Sequence, residues 1–202
     1  MCQFMKFRAR FYGKTNYQDS LGLQEEAVLL SHENPQILGF EFDPVITLGR
    51  SAKEAQEVVQ AAKWPTYRVP RGGKATFHSP GQLVIYPICN IKVFEIGVRS
   101  WVERQLKVTQ RTLQKCSPNH QFQVSMERAG VYSEVGKVAS IGIRLERGVS
   151  TFGLAINLKN DPQLFECIRP CGVTGQIIHA VGGEGSLEDF FYKWCEDFEK
   201  EF

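Results

Sequence analysis

Three strand-like segments follow one another between residues 130 and 158, and this run constrains the fold more than any other feature. The segments read AGVYSEV, KVASIGIRL and VSTFGLAINL, with turns at Val135-Gly136 and Arg147-Gly148. Apolar stretches bounded by turn residues predict β-strands. Because the connections are too short for a parallel crossover, the strands are expected to pair as hairpins.

Helical patterns surround this run. Apolar residues recur at three- and four-residue spacing over 97–116, which is typical of an amphipathic helix. Helices interspersed with hairpin-like strands favour an α+β fold, with a mixed, largely antiparallel sheet and helices packed on it. The other predicted helices span 17–31 after an Asn16 or Asp19 cap and 53–62, and two more begin near Pro162 and after a Ser186 cap.

Length and composition exclude several classes of protein. No linker interrupts the 202 residues, so we predict one domain over 1–202. A net charge of +2 is far from that of a dedicated nucleic-acid binder. No stretch is long and apolar enough for a membrane span or a signal peptide, which favours a cytoplasmic protein. The six cysteines lack zinc-finger spacing, so no structural zinc site is predicted. No cofactor is expected either.

A glycine-rich loop at 71–82 is the first segment whose residues indicate a binding or catalytic role. It reads RGGKATFHSPGQ, and its paired glycines let the backbone approach a ligand closely. It matches neither a phosphate-binding loop nor a dinucleotide fingerprint. From the residues alone it is either a ligand-binding loop or an ordinary connection.

Two further residues stand out. Lys137 begins an otherwise apolar strand, where its ammonium either reaches out to solvent or is held in a pocket beside an anion. Cys171 lies between Pro170 and Gly172, on a turn that leaves the sulfur uncrowded. A lone cysteine is more often a small buried hydrophobic residue than a nucleophile, and Cys167 is expected to be such a core position.

Taken together, these segments resemble the lipoyl(octanoyl) transferases of lipoate biosynthesis. That family reads R-G-G-x-x-T-Y-H-G-P-G-Q-L, G-x-K-I-A-S-I-G, H-G-L-A-L-N and P-C-G. This chain reads RGGKATFHSPGQL, GKVASIGIR, FGLAINL and PCG in the same order. One such match is weak, whereas four in order are specific.

The resemblance implies the fold of biotin and lipoate protein ligases and an acyltransferase reaction. Octanoyl would pass from acyl carrier protein, through a Cys171 thioester activated by Lys137, to a lysine. That lysine would belong to a lipoyl domain of a 2-oxoacid dehydrogenase subunit or to the glycine-cleavage H protein. The implied substrate-binding residues are Arg71, Gly72, Gly73, Lys74, Ala75, Thr76, Phe77, His78, Ser140, Ile141, Gly142, Gly153, Leu154 and Ala155.

Two departures from the family pattern leave several functions open. Phe152 stands where the family has histidine, and Ser79 stands where it has glycine. Because a polar group is lost at 152, a function as a non-catalytic acyl- or carrier-binding module stays open. An ATP-dependent lipoate or biotin ligase, which needs no cysteine nucleophile, also stays open. So do a lipoyl amidotransferase, which uses the same covalent chemistry, and a cysteine hydrolase.

Overall fold

The computed structural model describes residues 6–31, 34–59, 63–169 and 177–202. These ranges contain ten strands: β1 (Arg8–Thr15), β2 (Gln36–Phe42), β3 (Val45–Leu48), β4 (Thr66–Arg68), β5 (Ala75–His78), β6 (Gln82–Asn90), β7 (Gln123–Ser125), β8 (Gly130–Tyr132), β9 (Lys137–Glu146) and β10 (Val149–Asn157). The helices are α1 (Tyr17–Leu30), α2 (Glu54–Glu57), α3 (Val98–Cys116) and α4 (Leu187–Glu199), with 3-10 turns at Ile91–Phe94 and Pro162–Cys167.

The strands form two sheets. The larger has the order β1-β2-β6-β10-β9-β8-β7, and the smaller has the order β4-β3-β5. All neighbours are antiparallel except β1 with β2 and β3 with β4. The predicted hairpin run forms β8, β9 and β10, and the predicted α+β fold with a mixed, largely antiparallel sheet is confirmed.

The large sheet is buried on both faces. Along β6, Leu83 and Ile85 pack beneath α3 and α4 in one core cluster, whereas Val84 and Tyr86 pack in a second cluster with α1. Trp101 and Trp194 are fully buried on the first side, and each indole N–H donates to a hydroxyl. The aromatic residues of the terminal helix therefore belong to the core, as expected.

Most of the predicted helix boundaries are confirmed. Asn16 caps α1, and Ser186 forms a reciprocal capping box with Asp189 at the start of α4. The helix predicted over 53–62 is much shorter in its described part. It ends at Glu57 because Val58 forms an antiparallel bridge with Ile168, while residues 60–62 lie outside the described ranges.

No helix among the described residues has both the length and the apolar character that crossing a membrane requires.

Candidate active site

A pocket lies between the glycine-rich loop with β5 of the small sheet and the middle of β6, β9 and β10 of the large sheet. Its cavity volume is about 110 Å³. Thirteen of the residues implied by the family pattern line it: Arg71, Gly73, Lys74, Ala75, Thr76, His78, Lys137, Ser140, Ile141, Gly142, Gly153, Leu154 and Ala155.

Three of the predicted site residues lie elsewhere or are not described. The N–H of Gly72 donates to the Ile143 carbonyl at 2.8 Å, which ties the loop to β9. Phe77 points away from the pocket into a core cluster, where its ring packs against Phe165. Cys171 lies outside the described residues.

Lys137 is held in place rather than extended into solvent. It is only 3% exposed, and its Nζ donates to the Arg128 carbonyl at 2.9 Å. The same nitrogen lies 5.5 Å from the centre of the Tyr132 ring. A Cβ on Gly130 would come within 2.6 Å of the lysine Cε, so glycine is needed at that position to make room for the lysine stem.

The chain that follows Cys171 comes back to the lysine backbone. The Lys137 N–H donates to the Ile177 carbonyl at 2.9 Å, and the His179 N–H donates to the Lys137 carbonyl at 3.0 Å. A Cβ on Gly136 would come within 2.6 Å of the Ile177 carbonyl, so the approach of the two segments depends on glycine. One described end of the segment that carries Cys171 is therefore in contact with Lys137.

The four described cysteines are poor nucleophiles, because the thiolate is the reactive form. Burial raises the pKa of Cys167 to about 11 and also raises the pKa values of Cys89, Cys116 and Cys195. Cys167 is buried in the core, as expected. The described cysteines therefore offer no substitute for Cys171.

A chain of buried hydrogen bonds runs behind the pocket. Arg71 donates from Nη2 to the Thr47 hydroxyl at 2.8 Å, and that hydroxyl lies 3.4 Å from His78 Nε2. On the other side of the ring, His78 Nδ1 lies 2.7 Å from Gln82 Oε1. Because an amide oxygen only accepts, Nδ1 carries the proton and Nε2 accepts from the threonine.

The same chain continues to the lysine strand. Gln82 donates from Nε2 to Asn157 Oδ1 at 2.9 Å, and Asn157 donates from Nδ2 to the Lys137 carbonyl at 3.4 Å. The glycine-rich loop and the start of β9 are thus coupled through side chains on β5, β6 and β10. Buried polar groups require such partners, since an unpaired one carries a desolvation penalty.

Burial also determines the charge of His78. It lowers the pKa of the imidazole from 6.5 to about 4, although the bond to Gln82 opposes the shift and the Arg71 charge adds to it. His78 is therefore neutral at physiological pH. It serves as a hydrogen-bonding link and not as a cation in the pocket.

This shift predicts a pH dependence of stability. The unfolded chain binds a proton at His78 near pH 6.5 while the folded protein does not, so the stabilisation is complete above that pH and is lost as the pH falls towards 4. The shift from 6.5 to about 4 corresponds to about 3 kcal/mol. Urea unfolding between pH 7 and 4 is expected to show this loss in the wild type and a shallower loss in His78→Gln. Equal slopes for the two proteins would contradict it.

Several pocket residues were not among those predicted. Gln82 and Asn157 stood within the matched motifs, but their roles depend on partners far away in the sequence. Tyr86 and Ile178 carried no sequence signal beyond being apolar or aromatic. All four line the pocket.

With this geometry established, comparison with known proteins identifies the class of protein. The model of the lipoyl protein ligase A/B catalytic domain matches residues 16–180, and the chain belongs to this family. The resemblance drawn from the motifs is therefore confirmed.

Curated relatives place the chain more narrowly, among the octanoyltransferases, and thus make it an acyltransferase. The octanoyltransferase of Shewanella halifaxensis is 33% identical over 187 residues, which cover 89% of this chain and 83% of that protein. The Shewanella woodyi octanoyltransferase is 35% identical with the same coverage. That of Shewanella sp. strain W3-18-1 is 36% identical over 185 residues, or 89% of this chain and 84% of that protein.

Solved structures agree in fold. A lipoate-protein ligase A bound with ATP superposes with a TM-score of 0.78 at 13% identity, covering 98% of this chain and 85% of that one. The bipartite lipoate protein ligase of Thermoplasma acidophilum gives 0.76 at 13% identity, with 97% and 84% covered. The biotin protein ligase of Aquifex aeolicus gives 0.57 at 13% identity, with 96% and 69% covered. The expected biotin/lipoate ligase-like fold is confirmed.

Proposed function

We propose that this protein accepts an octanoyl group from acyl carrier protein as a thioester on Cys171 and transfers it to the lysine of a lipoyl domain. The observation that carries the proposal is the buried Lys137 side chain, on a residue whose backbone is hydrogen-bonded to the segment that follows Cys171. The curated relatives are named octanoyltransferases, which supports the nature of the acyl group.

Covalent geometry limits how far apart the two proposed catalytic residues can lie. Cys171 precedes Ile177 by six residues, and a fully extended chain of that length spans at most about 22 Å. Ile177 itself is hydrogen-bonded to Lys137. An ammonium about 4 Å from a sulfur favours the thiolate by up to ~4 kcal/mol at an effective dielectric constant of about 20, before desolvation is subtracted.

The proposed reaction has two acyl-transfer steps. In the first, the Cys171 thiolate attacks the donor thioester carbonyl, a new C–S bond forms, the donor C–S bond breaks, and the leaving carrier thiolate takes the proton of the Lys137 ammonium. In the second, the acceptor amine attacks the acyl-cysteine, an amide forms, and the cysteine thiolate leaves. The amine must lose a proton in this step, and Lys137 in its neutral form is the proposed acceptor of that proton.

The structure narrows the groups that can stabilise the tetrahedral oxyanion. In the glycine-rich loop, the N–H of Gly72 donates to Ile143 and that of Ala75 donates to the Glu57 carboxylate at 2.7 Å. Both N–H groups therefore already have acceptors, and these hydrogen bonds hold the loop in place. The proposed oxyanion donors are therefore the backbone N–H groups of Gly73, Lys74 or Gly172, because backbone N–H groups can stabilise the oxyanion of a tetrahedral intermediate.

Apolar side chains on the neighbouring strands are proposed to hold the acyl chain. Val84 and Ala155 line the pocket between the loop and the large sheet, and their side chains belong to the core cluster on the pocket side of that sheet. Each methylene removed from water contributes about 0.8 kcal/mol. The cytoplasmic location and the two protein substrates stay predictions of the same proposal.

Intact-mass spectrometry tests the proposal. The protein is mixed with octanoyl-loaded acyl carrier protein, without ATP, and then with an apo lipoyl domain. We expect the wild type to gain one octanoyl mass and to lose it as the lipoyl domain gains it. Cys171→Ser should show neither step, whereas Cys167→Ser, which removes a buried thiol four residues away, should still acquire the adduct.

Other results would indicate a different function for this protein. An adduct on Cys171→Ser would exclude Cys171 as the acyl carrier. Transfer only from free octanoate and ATP would indicate a ligase. Binding of the acyl carrier protein with neither adduct nor transfer would indicate the non-catalytic module.

A further inference from the structure

Phe152 breaks the alternation of β10. Along this strand Leu154 and Ile156 face the core beneath α3 and α4, so a regular strand would place Phe152 on that face as well. Phe152 instead has a left-handed backbone with φ of 58°, and its side chain belongs to the opposite cluster with Val149 and Ala155. The ring is thereby turned from the helical core into the side of the sheet that carries the pocket.

Two contacts hold this unusual conformation, and the strand opposite offers no ladder donor there. The N–H of Phe152 donates to Gln24 Oε1 of α1 at 2.9 Å. The register of the flanking pairs places Pro87 opposite Phe152 on β6, and proline has no N–H for the ladder. The ring packs edge-on against Tyr86, with the two centroids 5.8 Å apart. The position is over-determined by its surroundings, as strained residues at functional sites are.

The ring separates two spaces. Phe152 lines the pocket that contains Lys137, and it also lines a groove of about 720 Å³ beside α1; it is the only described residue that lines both. The groove is lined by the apolar residues Leu21, Val28, Leu29, Val69, Pro70 and Val149 and by the polar or charged residues Gln24, Glu25, Arg68, Arg144, Glu146, Arg147 and Thr151. At 6% exposure, Phe152 acts as a wall between pocket and groove rather than as a surface residue.

The pocket runs along the strands from the lysine to this wall. Phe152 pairs with Ile143, six residues along β9 from Lys137. At about 3.3 Å per residue, the backbones at the two ends are about 20 Å apart. The lysine side chain and the phenyl ring both occupy part of that distance. An acyl chain whose carbonyl lies near Lys137 would therefore meet the ring at its methyl end.

We infer that Phe152 is the end wall of the acyl pocket and sets the upper limit of acyl-chain length. The inference rests on the proposed function and adds to it the residue that limits the length of the acyl chain. Removing the ring would join the pocket to the groove and admit longer chains. Enlarging the ring would shorten the pocket.

The test is a competition among acyl carrier proteins loaded with hexanoyl, octanoyl, dodecanoyl and tetradecanoyl groups, with the acyl-enzyme read by intact mass. Phe152→Gly suits the left-handed backbone and is expected to raise the dodecanoyl-to-octanoyl loading ratio at least tenfold. Phe152→Trp is expected to shift loading towards hexanoyl. Adding Val28→Trp to Phe152→Gly fills the groove and should restore the preference for octanoyl.

The outcomes separate this inference from the function on which it rests. A wild type that loads no acyl group of any length overturns both. A wild type that loads octanoyl, together with Phe152→Gly and Phe152→Trp proteins of unchanged length profile, overturns the inference alone. If Phe152→Gly lacks a cooperative thermal transition and is therefore unfolded, the length profiles of Phe152→Leu and Phe152→Trp test the inference instead. Both variants keep an apolar side chain in the core.

Discussion

Replacing Lys137 with methionine is expected to slow octanoyl transfer at pH 7 by about 10²–10⁴-fold, the range typical of a lost general acid or base. The side chain is nearly completely buried, and its nitrogen is fixed by the Arg128 carbonyl. Methionine keeps the length and apolar stem of lysine but removes the charge and the proton. Acyl-enzyme formation and its discharge to the lipoyl domain, each followed by intact mass against time, measure the effect on the two steps.

The same substitution is expected not to destabilise the fold. Burial of an ammonium carries a desolvation penalty that methionine avoids, so the free energy of unfolding of Lys137→Met should equal or exceed that of the wild type. The matched control is Lys107→Met, which removes an exposed lysine paired with Glu103 and should leave transfer unchanged. Transfer by Lys137→Met within threefold of the wild type would exclude the proposed role of the lysine.

Replacing Gln82 with leucine is expected to destabilise the protein by about 1–3 kcal/mol. Gln82 lies between His78 Nδ1 and Asn157 Oδ1, at 2.7 and 2.9 Å. Leucine fills most of the volume but leaves the buried His78 Nδ1 without that acceptor, whereas Asn157 Oδ1 still accepts from Asn160. Urea unfolding at pH 7 measures the loss.

A matched glutamine distinguishes this effect from a general effect of the substitution. Gln121 is exposed, and Gln121→Leu should change stability by no more than about 0.5 kcal/mol. A loss below about 1 kcal/mol for Gln82→Leu would show that the hydrogen-bond chain contributes little. Because Asn157 also donates to the Lys137 carbonyl, the folded Gln82→Leu protein is expected to transfer octanoyl more slowly than the wild type.

Much of the fold could be predicted because it is encoded locally. The spacing of apolar residues predicted α3, the short turns predicted the β8-β9-β10 run, and Ser186 predicted the start of α4. The failure at α2 has the opposite cause. Its sequence favours helix over 53–62, but the bridge between Val58 and Ile168 ends the helix through a contact between segments more than one hundred residues apart.

The candidate site also has a part that could be predicted from local sequence and a part that could not. The motifs named the loop at 71–78, Lys137 and Cys171, because close backbone approach and acyl transfer require particular residue types at fixed spacing. They could not reveal the hydrogen-bond path from Arg71 through Gln82 to Lys137, since its members lie on five different strands and a loop. Hydrogen bonds between distant segments have no sequence period.

By itself, the sequence determined the kind of chemistry and most of the secondary structure of this protein, because both depend on residue type and short-range spacing. Only the tertiary structure decided whether Lys137 reaches solvent or is buried, because the answer depends on the room left by Gly130 and the bond to Arg128. It also decided the orientation of Phe152. Strand periodicity would turn that ring into the helical core, but the left-handed backbone of Phe152, whose N–H donates to Gln24 Oε1, turns it towards the pocket.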